Sequence, residues 1–261
     1  MIDSLTELYN KDGFFVVKDF FKKNEIKLLL LSIKKIYINQ FKFLGYPYYN
    51  DDRSFDLCIK RLFREEFDIF ANCGKHVQQG NIELYKLAVD NNLLNLLKKV
   101  GISDPHMATR PVVMQNSKFL AKQSYHYKTP AHIDWESIRG SQDCIVVWVP
   151  LVDIPKDLGP VCFLPGTHNH EKGITFKSIG GFMSIREENL GDQYGPYEQP
   201  EVELGDVVLF SSKLVHKSGD ILNDDIRWSC HFRYNNIEDR DFIERGYEFN
   251  YLYIPKTKLE E

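Results

Sequence analysis

Along the first hundred residues apolar side chains recur every three to four positions, whereas beyond about Arg110 they fall into short alternating or continuous runs. The chain therefore reads as a helical part followed by a β-rich part. Residues 3–12 predict a short helix with Asp3 or Ser4 as N-cap and Gly13 as its stop, followed by a strand over 14–17. Asn24 predicts the cap of a longer helix over 25–41, where Ile26, Leu29, Leu30, Ile33, Ile36 and Tyr37 form one core-facing stripe. The same spacing predicts helices over 55–71 and over 82–99, the second through Leu84, Leu87, Ala88, Leu94 and Leu97. The aromatic, turn-rich GYPYYNDD at 45–52 predicts an ordered loop. Strands are predicted at 112–123, 144–149, 161–164, 207–211 and 227–234, separated by turn signals such as LGP, PGT, LGD and LNDD. This spacing fits a sandwich, jelly roll or small barrel. The polar segment 180–200 is longer than a compact domain usually leaves unstructured, which predicts a substrate-facing lid.

No internal repeat, low-complexity tract or Pro/Gly/Ser-rich linker divides the two parts, so a single domain over 1–261 is expected, with a helical part at about 1–109 packed on a β core at about 110–254. With 261 residues, 43% hydrophobic and 13% aromatic, the chain can bury a substantial core. Its 33 basic and 37 acidic residues give a net charge of −4 with no basic block, which argues against a nucleic-acid footprint or a polybasic membrane anchor. The longest apolar run, 26–38, is interrupted by Lys27, Ser32, Lys34 and Lys35 and does not predict a bilayer span. The start of the chain does not read as a signal peptide. Cys58, Cys73, Cys144, Cys162 and Cys230 are odd in number and contain no Cys-x-x-Cys pair, as expected of reduced, mostly buried thiols in a cytoplasmic protein.

The candidate chemistry centres on TPAHIDWESIRGSQDCIVVWVPL, residues 129–151. In a strand, side chains at i and i+2 share a face, so His132 and Asp134 can reach one metal ion together. One more His would complete a 2-His-1-carboxylate set, the arrangement that holds non-haem Fe(II) with positions left open. His216, directly after the 207–211 strand, is the expected third ligand, and His231 is its rival. The strand at 227–234 alternates Arg227, Ser229, His231 and Arg233 against Trp228, Cys230, Phe232 and Tyr234, as expected if the polar face lines a cavity and the apolar face packs under helices. Arg227 lies eleven residues beyond His216 across a predicted hairpin, where its guanidinium can pair with a carboxylate near the metal. That placement favours His216 over His231 as the ligand. His168 and His170 are read as turn or rim residues, and His126 as close to the site in sequence only.

His132-x-Asp134, IVVWVPLVD, LGPVCFLPGTH, GDVVLF, His216-Lys217-Ser218 and Arg227, in that order, resemble the motif series of the phytanoyl-CoA dioxygenase family of Fe(II)/2-oxoglutarate-dependent oxygenases. The N-terminal YNKDGFFVVKDFFKKNEI is similar to that family's first helix and strand. The resemblance is dense over 129–234 and weakest over 42–110. It implies a double-stranded β-helix (jelly roll, cupin-like) with flanking helices, an α+β class that is mainly β. It also implies His132, Asp134 and His216 as iron ligands, Arg227 and Ser218 on the distal carboxylate of 2-oxoglutarate, and Trp148 as a wall of the cosubstrate pocket. Tyr127 and Trp135 flank the ligand pair and, with His231, are expected to face a small-molecule substrate. The implied reaction hydroxylates a C–H bond, with 2-oxoglutarate and O2 converted to succinate and CO2. An intact carboxylate at Asp134 distinguishes the chain from halogenating relatives. Segments 45–53 and 180–200 are where substrate specificity is expected. Two other classes stay open on the residues alone: a cupin-like zinc or manganese isomerase or hydrolase, and a silent binding module. Binding of 2-oxoglutarate separates them from the oxygenase.

Overall fold

The computed structural model describes residues 2–169, 174–179, 182–188 and 190–249. The helical part contains α1 (Ile2–Asp12), α2 (Lys23–Phe43), α3 (Asp52–Glu65), α4 (Phe67–Gly80), α5 (Ile82–Ala88) and α6 (Asn91–Lys99), with β1 (Phe14–Val17) inserted after α1. The β-rich part contains β2 (Pro105–Met107), β3 (Val112–Asn116), α7 (Trp135–Ile138), β4 (Ile145–Pro150), β5 (Val161–Phe163), β6 (Phe176–Ile179), β7 (Phe182–Ile185), α8 (Leu190–Tyr194), β8 (Val207–Ser211), β9 (His216–Ser218), β10 (Arg227–Asn236) and α9 (Arg240–Glu244). Antiparallel pairing gives a six-stranded sheet in the order β1-β8-β4-β10-β2, with β3 beside the first half of β10. A second sheet of β5 and β9 faces it, and β6–β7 form a hairpin. This is the double-stranded β-helix with flanking helices.

The alternation of β10 is a consequence of burial on both faces. Trp228, Cys230, Phe232 and Tyr234 share one core with Ile33, Tyr37 and Phe41 of α2 and with Phe55, Ile59 and Leu62 of α3. The Tyr234 hydroxyl donates to the Ala88 carbonyl at 2.5 Å, so the sheet is tied to α5 by a polar bond as well as by area. A second core, with Phe14, Val146, Trp148, Phe163, Val208 and Phe210, fills the space between the two sheets. Burying each such aromatic or branched side chain is worth roughly 1.5–3 kcal/mol. Gly13 ends α1 at φ +84°, and a Cβ there would meet His168 Nδ1 at 2.5 Å, so both conformation and space demand glycine. All five cysteines are buried and free. Among the described residues no helix is long and apolar enough to cross a membrane.

Several boundaries differ from the sequence reading. Helix α2 is preceded by Lys22 in extended conformation without a side-chain cap, and Asn24 lies inside the helix. The single helix expected over 55–71 is two, broken where Glu66 adopts φ −135°, ψ 57°. The stretch 82–99 is also two helices, because the Asp90 side chain accepts from Asn92 N and Leu93 N and starts α6 afresh. Strand β3 stops at Asn116 instead of reaching residue 123. The lid expected at 180–200 is partly regular structure: β7 joins the barrel through Ile185 N to Ala131 O at 2.7 Å, and Glu198 and Phe163 exchange two backbone bonds of 2.8 Å. Residues 180, 181 and 189 of it, together with His170 and 250–254, lie outside the described residues.

Candidate metal and cosubstrate site

His132 and Asp134 do not share a strand face. His132 makes an isolated antiparallel bridge with His216, through N–H to O bonds of 2.9 and 3.0 Å in both directions. Asp134 is already in helical conformation (φ −68°, ψ −31°) as the N-cap of α7. The bend still converges the side chains. One ligand atom from each of His132, Asp134 and His216 lies within 4.8 Å of the others, all three residues are buried, and the two imidazole centroids are 4.1 Å apart.

The donor set suits a divalent metal. The carbonyls of Pro130 and Leu214 lie 2.8 and 2.9 Å from Nδ1 of His132 and His216. A carbonyl only accepts, so each Nδ1 carries the proton and each Nε2 keeps its lone pair for a ligand. Burial, and then the neighbouring His132, push His216 down to a pKa of about 3, so its ring is neutral. Burial pushes the Asp134 carboxyl up, but the Arg233 guanidinium outweighs it and holds the group well below the usual range. Arg233 donates to both oxygens, from Nε to Oδ2 at 3.2 Å and from Nη2 to Oδ1 at 2.9 Å.

The triad opens on a cavity of about 430 Å³ between the two sheets. Arg227, Ser229, His231 and Arg233 all line it, so the polar face of β10 is the cavity wall. Register sets their neighbours: His231 lies between Val112 of β3 and Trp148 of β4, and Arg233 beside Val146. Arg233 marks the triad end. Arg227, on the same face six residues earlier and beside Ser218, which is two residues beyond His216 on β9, marks the other. There Nη1 donates to the Gly159 carbonyl and Nη2 lies 3.4 Å from Ser218 Oγ. No carboxylate among the described residues pairs with Arg227, and its Nε has no partner. Burial pushes its pKa down to about 10. Buried without partners at the same wall are Ser229 Oγ and His231 Nε2. His231 itself is held well below its ordinary pKa by burial and then by Arg233.

Trp148, Ser218 and His231 line the cavity. Tyr127 and Trp135 do not line it. Asn116 Nδ2 binds the Tyr127 carbonyl at 3.0 Å. The turn into α7 sends the Trp135 ring to a different pocket, with Ile133 and Phe176, near Arg139 and Lys213. His126, read as near in sequence only, lines the cavity with Val112, Met114 and Ser137. The aromatic segment 45–52 is remote from it: Tyr46 is buried against Phe41, and Pro47 and Tyr49 line a separate surface hollow. Arg233 was visible on the polar face of its strand, but its bond to Asp134 required the fold.

The sequence model described as phytanoyl-CoA dioxygenase matches residues 9–229. In fold the chain is similar to the epimerase SnoN, solved in complex with Fe3+, alpha-ketoglutarate and nogalamycin RO, at 17% identity and TM-score 0.63 over 90% of this chain and 83% of that one. It is also similar to the carbocyclase SnoK of nogalamycin biosynthesis, at 13% identity and TM-score 0.57 over 92% and 89% of the two chains. EctD from S. alaskensis, solved with 2-oxoglutarate and 5-hydroxyectoine, is similar at 16% identity and TM-score 0.57 over 91% and 77%. A family match from Tyr9 to Ser229, on a double-stranded β-helix, makes the chain a member of the phytanoyl-CoA dioxygenase family of Fe(II)/2-oxoglutarate-dependent oxygenases.

Proposed function

We propose that His132, Asp134 and His216 hold Fe(II), that Arg227 and Ser218 seat the distal carboxylate of 2-oxoglutarate, and that the enzyme hydroxylates a C–H bond of a small metabolite or biosynthetic intermediate. The observation that carries the reading is a buried guanidinium with no counter-anion among the described residues, at one end of a cavity whose other end gathers two imidazoles and a carboxylate. A dicarboxylate keto acid answers both ends. Iron with 2-oxoglutarate bound there supplies the oxidation, with succinate and CO2 as coproducts.

The chain's own residues bind, orient and exclude water. The Nδ1–H bonds to Pro130 and Leu214 fix both rings so that each Nε2 lone pair is left for the ion, and the low basicity of His216 keeps protons from competing there. Trp148, Val146, Phe210 and Val161 form a dry wall along the cosubstrate's path, which strengthens its pairing with Arg227. Val112, Met114, His126 and Ser137, on β3 and the segment before and within α7, border the remaining space and are the proposed substrate side, with His231 between. The shared core of helices and sheet supports one working domain, and the buried free thiols support a cytoplasmic setting.

Anaerobic titration of the Fe(II)-loaded protein with 2-oxoglutarate tests this. A visible charge-transfer band is expected from a chelated keto acid on iron. Metal binding without such a band at saturating 2-oxoglutarate would overturn the oxygenase reading of these residues.

A further inference from the structure

Asp134 is an N-cap whose side chain does not cap. Its carbonyl accepts from Ser137 N at 3.0 Å and Ile138 N at 3.1 Å, but its carboxylate bonds neither. A side-chain cap is made from non-helical backbone, and Asp134 is helical, so its carboxylate is left to another partner. Here both oxygens are taken by Arg233 from the opposite wall, through two bonds of 2.9 and 3.2 Å. The same Oδ1 that accepts from Nη2 lies 3.7 Å from His132 Nε2. The backbone is fixed separately. Helix α7 has only four residues, and Trp135 N is tied to the Ser212 carbonyl at 2.9 Å.

We propose that Arg233 is the positioning residue of the metal site: its guanidinium holds the Asp134 carboxylate by both oxygens and sets its plane so that one oxygen meets the two imidazoles. The inference rests on Asp134 being a metal ligand. A planar fork fixes the orientation of a carboxylate, which a single ammonium does not. Strand β10 supplies the rigidity, since Arg233 is register-paired with Val146 and its carbonyl accepts from Ala108 N at 2.8 Å.

The test is Co(II) binding to the full chain, read by visible absorption and by competition with a chelator, in wild type, Arg233→Gln, Arg233→Lys and Asp134→Ala. Co(II) affinity is expected to fall about 10- to 100-fold in Arg233→Gln. Arg233→Lys should recover only part of it, with an altered d–d spectrum at full occupancy. Added to Asp134→Ala, Arg233→Gln should cause no further loss. Should the Gln variant fail to fold, as judged by circular dichroism, the Lys variant decides. Wild-type affinity and spectrum in the folded Arg233 variants, or an equal further loss in the Asp134→Ala background, overturns the proposal. Wild-type Co(II) affinity in Asp134→Ala would instead overturn the ligand assignment beneath it.

Discussion

Replacing Arg227 with Met separates cosubstrate binding from folding. The side chain is 3% exposed and has no carboxylate partner among the described residues, and burial pushes its pKa down to about 10 from 12.5. At about 1.4 kcal/mol per pH unit, the protein without cosubstrate holds this charge at a cost on the order of 3 kcal/mol. Met keeps the buried stem and removes the charge. It also deprives the Gly159 carbonyl of its donor, a loss of about 1–3 kcal/mol. The two effects oppose each other, so the stability of the cosubstrate-free protein should change by no more than about 2 kcal/mol. Binding has no such compensation. Truncating one partner of a buried charge pair costs about 2–5 kcal/mol, so the Kd for 2-oxoglutarate should rise roughly 30- to 5,000-fold. The assay is anaerobic thermal or urea unfolding of metal-loaded protein with 2-oxoglutarate at about 100 times the wild-type Kd, where wild type gains about 2.7 kcal/mol and the variant less than about 1. Equal stabilisation of both proteins by 2-oxoglutarate would refute the cosubstrate role. A loss of more than about 3 kcal/mol in the free protein with undiminished affinity would make Arg227 a structural residue.

Three further outcomes are expected. His216→Ala should lose stoichiometric Fe(II) and all metal-dependent turnover, and retained turnover would reopen the choice of ligands. Asp206 is 2% exposed and accepts from Lys18 Nζ, Asp19 N and Glu203 N at 2.8–3.0 Å, so Asp206→Ala should destabilise by about 2–4 kcal/mol in urea melts by orphaning two backbone donors where β1 joins β8. An unchanged midpoint would show that this junction frays without cost. Phe163, fully buried with ring centroids 4.5 Å from Phe14 and 5.0 Å from Phe210, should cost about 3–5 kcal/mol as Phe163→Ala. Because its backbone pairs with His216, the same variant should weaken metal binding, and a purely thermal effect would count against that coupling.

What could be read from the sequence follows from where burial has two sides. β10 separates a helix-packed core from a cavity, so its residues carry both patterns at once, and the polar set Arg227, Ser229, His231 and Arg233 was visible before any fold. β8 was legible to its end residues because all of it is buried. The failures have the opposite cause. Glu66 and Val89 break helices without Gly or Pro, through backbone angles that leave no mark in the apolar spacing. Helix α7 is too short for periodicity, so Trp135 looked like a neighbour of the ligands when one helical step had already turned it outward. The aromatic loop at 45–52 misled because the same residue types serve packing and recognition, and here Tyr46 packs on Phe41.

The proposed metal site converges for a reason other than the one that suggested it. Strand alternation is the reason to pair His132 with Asp134, yet Asp134 is helical. The i, i+2 spacing works because His132 is locked to His216 by two backbone bonds on one side, and Arg233 draws the carboxylate across on the other. The local sequence supplies the donors. Their convergence is set by residues 84 and 99 positions further along, which is why the ligand types could be read from the motif while the residue that aims the carboxylate could not.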